Sequence, residues 1–322
     1  MKFIVTGGAG FIGHNLVNKL ELLGHECFVI DSATNYGFIN KSELEYLFAE
    51  RLKKMHASVH YVDLRDHKLI ESFFKTFSFN CDGVIHLASF PRQKVVSKNP
   101  VWGAEVMGTS LVHLLEMAKQ FKIPRFVYIS SSMVYGNFND NVTEDYVCQP
   151  QGQYGIMKLM GENLVKDYNR RNCFDYTIIR PSAVYGELDV EDRVVSKFML
   201  GAMRGEVLRV NGQDEALDFT HVSDAASGIA AATVSDRTIN KTYNITRSQS
   251  KTLHDAAKLT VDIVGKGTIE LRDKDADFPS RGSLNIDAAR HDFGFDPKVD
   301  AKEGFQKYHD WFKSSPFWKT KI

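Results

Sequence analysis

KFIVTGGAGFIGHNLVNKLELLGHECFVID, residues 2 to 31, is the stretch whose reading decides the fold. Lys2 to Val5 is a short apolar run of strand type, and TGGAGFIG, Thr6 to Gly13, follows it with Gly7, Gly10 and Gly13 at three-residue spacing. From Phe11 to Leu23 the residues Ile12, Leu16, Leu20 and Leu23 share one helical face, and Glu26 to Ile30 returns as a second strand that ends at Asp31. Strand, glycine turn, helix, strand and acid in that order are the context a dinucleotide site requires. Gly7 lets the chain reverse, Gly10 lets backbone approach a pyrophosphate, and Gly13 lets the helix pack closely on the strand. Gly7, Gly10, Phe11, Ile12 and Gly13 are therefore the expected cofactor cradle, with the helix N-terminus attracting the phosphates. Asp31 is placed to accept hydrogen bonds from both ribose hydroxyls of an adenosine and to repel a 2′-phosphate, which favours NAD over NADP. Taken singly, the turn would be only a turn and Asp31 only a helix cap.

Outward from this stretch, 322 residues are enough to bury a large core and predict one large domain with a smaller one attached. Forty basic and forty acidic residues cancel, so no electrostatic footprint for nucleic acid or an anionic membrane is present. Cys27, Cys81, Cys148 and Cys173 are far apart, with no CxxC pair, which reads as buried thiols and neither disulfides nor a metal site. A first strand that begins beside Met1 leaves no room for a secretory leader, and no apolar run approaches membrane-spanning length. A cytoplasmic protein is expected.

Along the chain, a polar loop from Ser32 to Asn40 precedes a helical insertion, Lys41 to Met55, of no evident role. A third strand, Val59 to Val62, ends in Asp63 and Leu64; Asp63 would face adenine or cap the helix starting near Asp66. Strand four, Gly83 to Leu87, leads into Ala88 and Ser89, small residues that let backbone approach a cofactor. A long helix over about Val101 to Phe121, strand five over Pro124 to Ser130, a helix over about Tyr154 to Arg171 and strand six over Tyr176 to Ile179 continue the alternation. That rhythm predicts right-handed crossovers and an α/β, doubly wound parallel sheet of Rossmann type. The expected division is an NAD-binding domain over 1–181, with returning segments around 214–246, and a smaller C-terminal substrate-binding domain over 182–213 and 247–322. The tail from Ser314 is expected to be a loosely docked terminus.

Two motifs carry chemistry. YGIMK, Tyr154 to Lys158, places a phenol and an ammonium four residues apart on one helix face. A phenolate base at neutral pH needs its pKa lowered by roughly three units, a lysine about 4 Å away in a medium of effective dielectric near 20 supplies about that much, and an oxidised nicotinamide would add more. SSSMVYG, Ser130 to Gly136, follows strand five at the edge where the glycine turn lies, so a hydroxyl there can hold a substrate oxygen against the phenol. Ser131 is the first candidate and Ser132 the second. Each motif alone also fits a packed tyrosine with a solvated lysine, or a serine-capped loop.

With these residues in view, the chain resembles the extended short-chain dehydrogenase/reductase family, in particular its NAD-dependent sugar epimerase and dehydratase branch. The likeness spans nearly the whole length through TGGAGFIG, Asp31, DL at Asp63, HLA at His86, SSSMVYG, YGIMK, RPSAVYG at Arg180 and DFTHVSDAA at Asp218. It implies that Tyr154 takes a hydroxyl proton while hydride passes to NAD, that Lys158 binds the nicotinamide ribose and acidifies Tyr154, and that Ser131 holds the reacting oxygen. It further implies that Asp63 and Leu64 contact adenine. There are departures. Ser132 and Met133 stand where family dehydratases and decarboxylases carry one or two acids, which argues against elimination. Glu105 replaces a usual asparagine, and Ala183 and Leu217 replace an asparagine and an arginine that commonly help hold a nucleotide-sugar diphosphate.

The leading expectation is an epimerase of a nucleotide sugar, acting at C4 through a transient ketone. The runner-up is a one-way NAD-dependent dehydrogenase or reductase, and a third class is an NAD-sensing scaffold that lost catalysis. For the diphosphate, Arg281 in PSRGSLNIDAAR is the expected anchor, with Arg209 assisting, against the alternative that Arg281 pairs with Asp275 or Asp277. The helix from Val101 and the helix bearing Tyr154 are expected to form a homodimer contact as in the resembled family, through Met107, Leu111, Leu114, Met160 and Leu164, with packing inside one subunit as the alternative.

Overall fold

A computed structural model describes every residue except Tyr36, Phe38, Pro91 and Asp277. The first half runs β1 (Lys2–Thr6), α1 (Phe11–Leu22), β2 (Glu26–Asp31), α2 (Lys41–Leu52), β3 (Val59–Tyr61), α3 (His67–Phe77) and β4 (Gly83–His86). It continues through α4 (Gln93–Lys98), α5 (Pro100–Ala104), α6 (Ser110–Gln120), β5 (Arg125–Ile129), α7 (Gln153–Arg170) and β6 (Asp175–Pro181). Next come β7 (Val184–Tyr185), α8 (Val194–Arg204), β8 (Val207–Asn211), β9 (Ala216–Asp218), β10 (Thr220–His221), α9 (Val222–Val234) and β11 (Lys241–Ile245). The chain closes with β12 (Ser250–Thr252), α10 (Leu253–Val264), β13 (Thr268–Arg272), α11 (Asp287–Phe293), α12 (Ala301–Ser314) and α13 (Pro316–Lys319).

Seven strands form one sheet in the order β11-β6-β5-β4-β1-β2-β3, every pair parallel. The doubly wound Rossmann sheet expected from the alternation is the observed one. From β1 the chain winds outward through β2 and β3, then returns to β4 on the other side of β1. That reversal leaves a crevice at the carboxyl ends of β1 and β4, where open parallel sheets take ligands. Side chains alternate between the faces: Phe3 and Val5 pack with Leu16, Leu20 and Ile229, while Ile4 packs on the other side with Phe74, Leu114 and Phe126. A fully buried side chain of this kind contributes about 1.5–3 kcal/mol, so the two cores hold the crevice rigidly.

The second half adds short strand pairs, β8 with β13 and β9 with β12, around a third core of Phe198, Met199, Leu208, Phe305, Tyr308, Phe312 and Trp318. Three details differ from expectation. The long helix is interrupted by a π turn at Glu105–Thr109 between α5 and α6, a local insertion that hydrophobic spacing does not reveal. The C-terminal tail is docked: Trp318 is fully buried against Phe312, and Ser315 caps α13. The insertion helix α2 braces the two halves, with Leu47 packed on Leu188 and Val190, Tyr46 stacked on Phe317 at 4.8 Å, and Arg51 donating twice to the Leu188 carbonyl.

Candidate active site

A cleft of about 1040 Å³ opens along the carboxyl edge of the sheet and runs between the two halves. At its inner end lies the glycine turn. Gly7 has φ 69°, and a Cβ there would stand 2.6 Å from the Ala88 nitrogen, so only glycine lets β1 and β4 end this close together. A Cβ on Gly13 would stand 2.2 Å from the Gly7 carbonyl oxygen. The N-cap of α1 is Gly10, which has no side chain to satisfy the first-turn N–H groups, leaving them for an anion. Phe11, Ile12 and Ala88 line the same wall. This cradle has the shape and the donors that a dinucleotide pyrophosphate requires.

Asp31 stands at the end of β2, where its carboxylate accepts the Ala33 N–H at 2.9 Å and the Ala9 N–H at 3.2 Å. Burial pushes its pKa up, opposed by those two N–H groups and by the charge of Arg51. Asp63 and Leu64 line the cleft beyond β3. Asp63 does not cap α3, a task that Asp66 performs through the Lys68 and Leu69 N–H groups. It is instead paired with Arg65 at 2.6 Å, a bond that holds its carboxyl below the usual range. Arg65 also reaches Glu105 at 3.4 Å, so the acid that replaces the usual asparagine completes an ion triplet.

At the centre of the cleft, α7 presents Tyr154 and Lys158 toward β5. The Tyr154 N–H donates to Gln93 Oε1 at 3.0 Å, which fixes the first turn of the helix, and the Ser131 hydroxyl is near enough to the phenol to favour its charged form. Ser131 Oγ also accepts the Met133 N–H at 3.2 Å. Ser132 is turned the other way, donating to Ser182 Oγ at 3.1 Å, so the structure brings Ser131 and not Ser132 to the phenol. Lys158 Nζ donates to the Ile129 carbonyl at 2.8 Å and lies 5.9 Å from the centre of the Tyr154 ring.

The expected acidification of Tyr154 by lysine alone does not hold. Burial raises the Tyr154 pKa, against the charge of Arg193 and the nearby Ser131 hydroxyl, and burial lowers that of Lys158 to about 7. Both shifts have one origin, the loss of water around a charge. A phenolate here therefore needs a further positive charge beside it.

At the outer end, Arg281 is packed into the cleft wall with no hydrogen-bond partner for its Nε. Burial draws its pKa down to about 10, with Glu215 as the nearby opposing charge. Of the two acids named as alternative partners, Asp275 binds Lys94 at 2.7 Å, and Asp277 lies outside the described residues. Arg209 lines the cleft from β8, is 63% exposed, and has Glu270 at 3.6 Å, so it is the weaker anchor of the two. Ala183 and Leu217 face the same space without polar groups. Among the described residues no cluster of His, Cys, Asp or Glu could hold a metal ion.

Sequence reasoning passed over several residues around this cleft. Gln93 orients α7, Arg193 sits at the N-cap of α8 and acts on Tyr154, and Glu162 forms a buried pair with Arg180. Only Glu162 had a legible signal, as the next residue after Tyr154 and Lys158 in the same four-residue step.

Comparison with known proteins gives one consistent answer. Residues 3–246 match the model of the NAD dependent epimerase/dehydratase family. A putative UDP-glucose 4-epimerase of Methanocaldococcus jannaschii is 29% identical over 97% of this chain and 98% of its own. A UDP-glucuronic acid decarboxylase of Arabidopsis thaliana is 29% identical over 95% of this chain and 68% of its own. Among solved structures, the UDP-glucuronic acid 4-epimerase of Bacillus cereus, in complex with UDP-glucuronic acid and NAD, superposes with a TM-score of 0.87 at 24% identity, covering 97% of this chain and 98% of that one. At that identity the superposition speaks for the fold.

Proposed function

We infer that this chain, which belongs to the NAD dependent epimerase/dehydratase family, is an NAD-dependent epimerase that inverts C4 of a nucleotide sugar through a transient 4-keto sugar. The observation that carries this reading is the arrangement along one cleft: a glycine cradle with Asp31 at one end, Tyr154 with Ser131 and Lys158 in the middle, and an arginine whose Nε has no partner among the described residues at the other. When bound, NAD supplies a hydride acceptor that later returns the hydride, together with the positive charge that burial of Tyr154 calls for.

The chain's own groups do the rest. The glycine turn with Phe11, Ile12 and Ala88 holds the pyrophosphate, Asp31 the adenosine ribose, and Asp63 and Leu64 the adenine. Tyr154 removes the C4 hydroxyl proton and gives it back after the sugar has presented its other face. Lys158 holds the nicotinamide ribose and favours the charged phenolate, and Ser131 holds the reacting oxygen, with Ser132 buttressing from Ser182. Arg281, helped by Arg209, binds the diphosphate, so the sugar can turn while the nucleotide stays fixed. Ser132 and Met133 supply no carboxylate beside the sugar, which separates this site from elimination and decarboxylation.

The division of labour follows the chain: 1–181 with segments around 214–246 for NAD, and 182–213 with 247–322 for the sugar nucleotide. Among the described residues no helix is long and apolar enough to cross a membrane, and a cytoplasmic location is the simplest setting for this chemistry. The homodimer remains part of the proposal with a corrected face. Leu111 and Leu114 pack inside the subunit against the sheet, Met107 packs with Phe90, Val95 and Val96, and Leu164 is partly buried as well. Exposed Val101, Val112, Ile156 and Met160 are left for a second copy.

The experiment is purification followed by assay with UDP-sugars and no added cofactor. Retained NAD and inversion at C4 support the reading, whereas product formation only with stoichiometric NAD would make the enzyme a one-way dehydrogenase. Light scattering at micromolar concentration tests the dimer.

A further inference from the structure

Lys158 carries a charge where charge is costly. Its side chain is buried, and the groups that face it come from several elements. From β4 comes His86, which burial and the Lys158 charge hold down to about 3, so it is neutral. From β5 come the Ile129 carbonyl and the Tyr128 ring, whose centre lies 5.4 Å from Nζ. From α7 come Tyr154 and, one turn beyond Lys158, Glu162. Glu162 is the one acid among these groups, and none of it reaches solvent.

The Glu162 carboxylate is fixed from every side. Arg180 on β6 grips it with Nε 2.9 Å from Oε1 and a second nitrogen 2.6 Å from Oε2, and Ser130 Oγ donates to Oε1 at 2.5 Å. Arg180 is itself held, donating to the Tyr135 hydroxyl at 3.0 Å and the Glu144 carbonyl at 3.1 Å, while Tyr135 donates to Asn244 at 2.7 Å. Glu162 and Lys158 thus grip adjacent residues of one edge, Ser130 and the carbonyl of Ile129. A Cβ on Gly161 would stand 2.1 Å from the Tyr128 hydroxyl oxygen, so the helix lies against β5 as closely as glycine allows.

We propose that Glu162 is a positioning residue for the reaction: its fixed carboxylate keeps Lys158 protonated and, by locking α7 to the end of β5, keeps the ammonium beside Tyr154. The proposal rests on the reading of Tyr154 as base and Lys158 as its charged partner. Burial pulls the lysine down and Glu162 opposes the fall, the two together leaving it at about 7, and a cationic nicotinamide beside it would push the same way as burial. Without the carboxylate, the charged fraction of Lys158 would fall in the working pH range. Arg180, the charge paired with Glu162, is itself fixed by its bonds to Tyr135 and Glu144.

The test is the pH profile of turnover in the NAD-loaded enzyme. Glu162→Gln should move the alkaline limb down by about one pH unit, a loss of about tenfold on the alkaline side with little change on the acid side. Glu162→Asp, which keeps the charge, should restore the limb. Because Glu162→Gln leaves a buried guanidinium unpaired, the double variant Glu162→Gln/Arg180→Met removes both charges and should show the same displaced limb in a folded protein. A loss that is uniform across pH, with the limb in place in both variants, would overturn the proposal by reducing Glu162 to a structural brace. Tyr154→Phe, run alongside, separates the two readings. Near-normal turnover there would refute the assignment of the base, whereas an inactive Tyr154→Phe with an unmoved Glu162→Gln limb would refute the role of Glu162 alone.

Discussion

Replacing Arg281 with methionine should weaken substrate binding and strengthen the fold at once. The side chain is packed into the cleft wall with Nε unpartnered, and burial has drawn the guanidinium down to about 10. A buried donor without a partner costs about 1–3 kcal/mol, and methionine fills similar space without that cost. The ligand-free variant should therefore be more stable by about 1 kcal/mol or more, which for a protein of this size is about 1.5 °C or more in melting temperature. The same guanidinium would give a diphosphate charge-assisted hydrogen bonds worth about 1.5–3 kcal/mol, so affinity for UDP should fall by about tenfold to a hundredfold. Titration calorimetry with UDP and with NAD, beside thermal melts of the ligand-free protein, reads all three quantities. NAD affinity should not change, since the cradle lies at the other end of the cleft. A variant that melts several degrees lower while binding UDP normally would refute the reasoning and make Arg281 a structural anchor.

Other outcomes follow from the same geometry. NAD should bind much more tightly than NADP, because a 2′-phosphate would meet the Asp31 carboxylate; equal affinities in calorimetry would remove that role from Asp31. The Arg51 charge near Asp31 does not reverse this, since two of its three nitrogens are turned to the Leu188 carbonyl. For Lys158, the folded pKa of about 7 lies below the ordinary lysine value of 10.5, so the unfolded chain binds more protons between those values and stability rises with pH across that window. Ligand-free protein should accordingly melt higher at about pH 9 than at about pH 7 by a margin that Lys158→Met lacks; equal slopes would mean that the ammonium is not desolvated. Removing residues 315–322 strips Trp318 from Phe312 and should cost roughly 3–5 kcal/mol in chemical denaturation, as large core truncations do; a negligible change would return the tail to the status of a loose terminus.

What the sequence determined by itself was whatever depends on near neighbours along the chain. The three glycines of the turn, the acid after β2 and the four-residue step from Tyr154 to Lys158 are local patterns, and the parallel sheet follows from strands and helices alternating at a fixed rhythm. The same locality explains the failures. Periodicity showed that Met107, Leu111 and Leu114 are apolar but not whether their own subunit or a second copy covers them; the sheet covers Leu111 and Leu114, and Phe90, Val95 and Val96 cover Met107. The docking of Trp318 on Phe312 and the bracing of α2 by Leu188 depend on segments far apart in the chain that meet only after folding. Electrostatics was the least legible of all. Lysine beside tyrosine suggested a lowered phenol pKa, yet the sign of the shift in the ligand-free protein is set by how much water the surrounding elements exclude. The same holds for Asp63 taken by Arg65, and for Arg281 left without a partner. Spacing fixes which groups share a helix face; only the packed structure fixes the medium between them, and the strength of a charge depends on that medium.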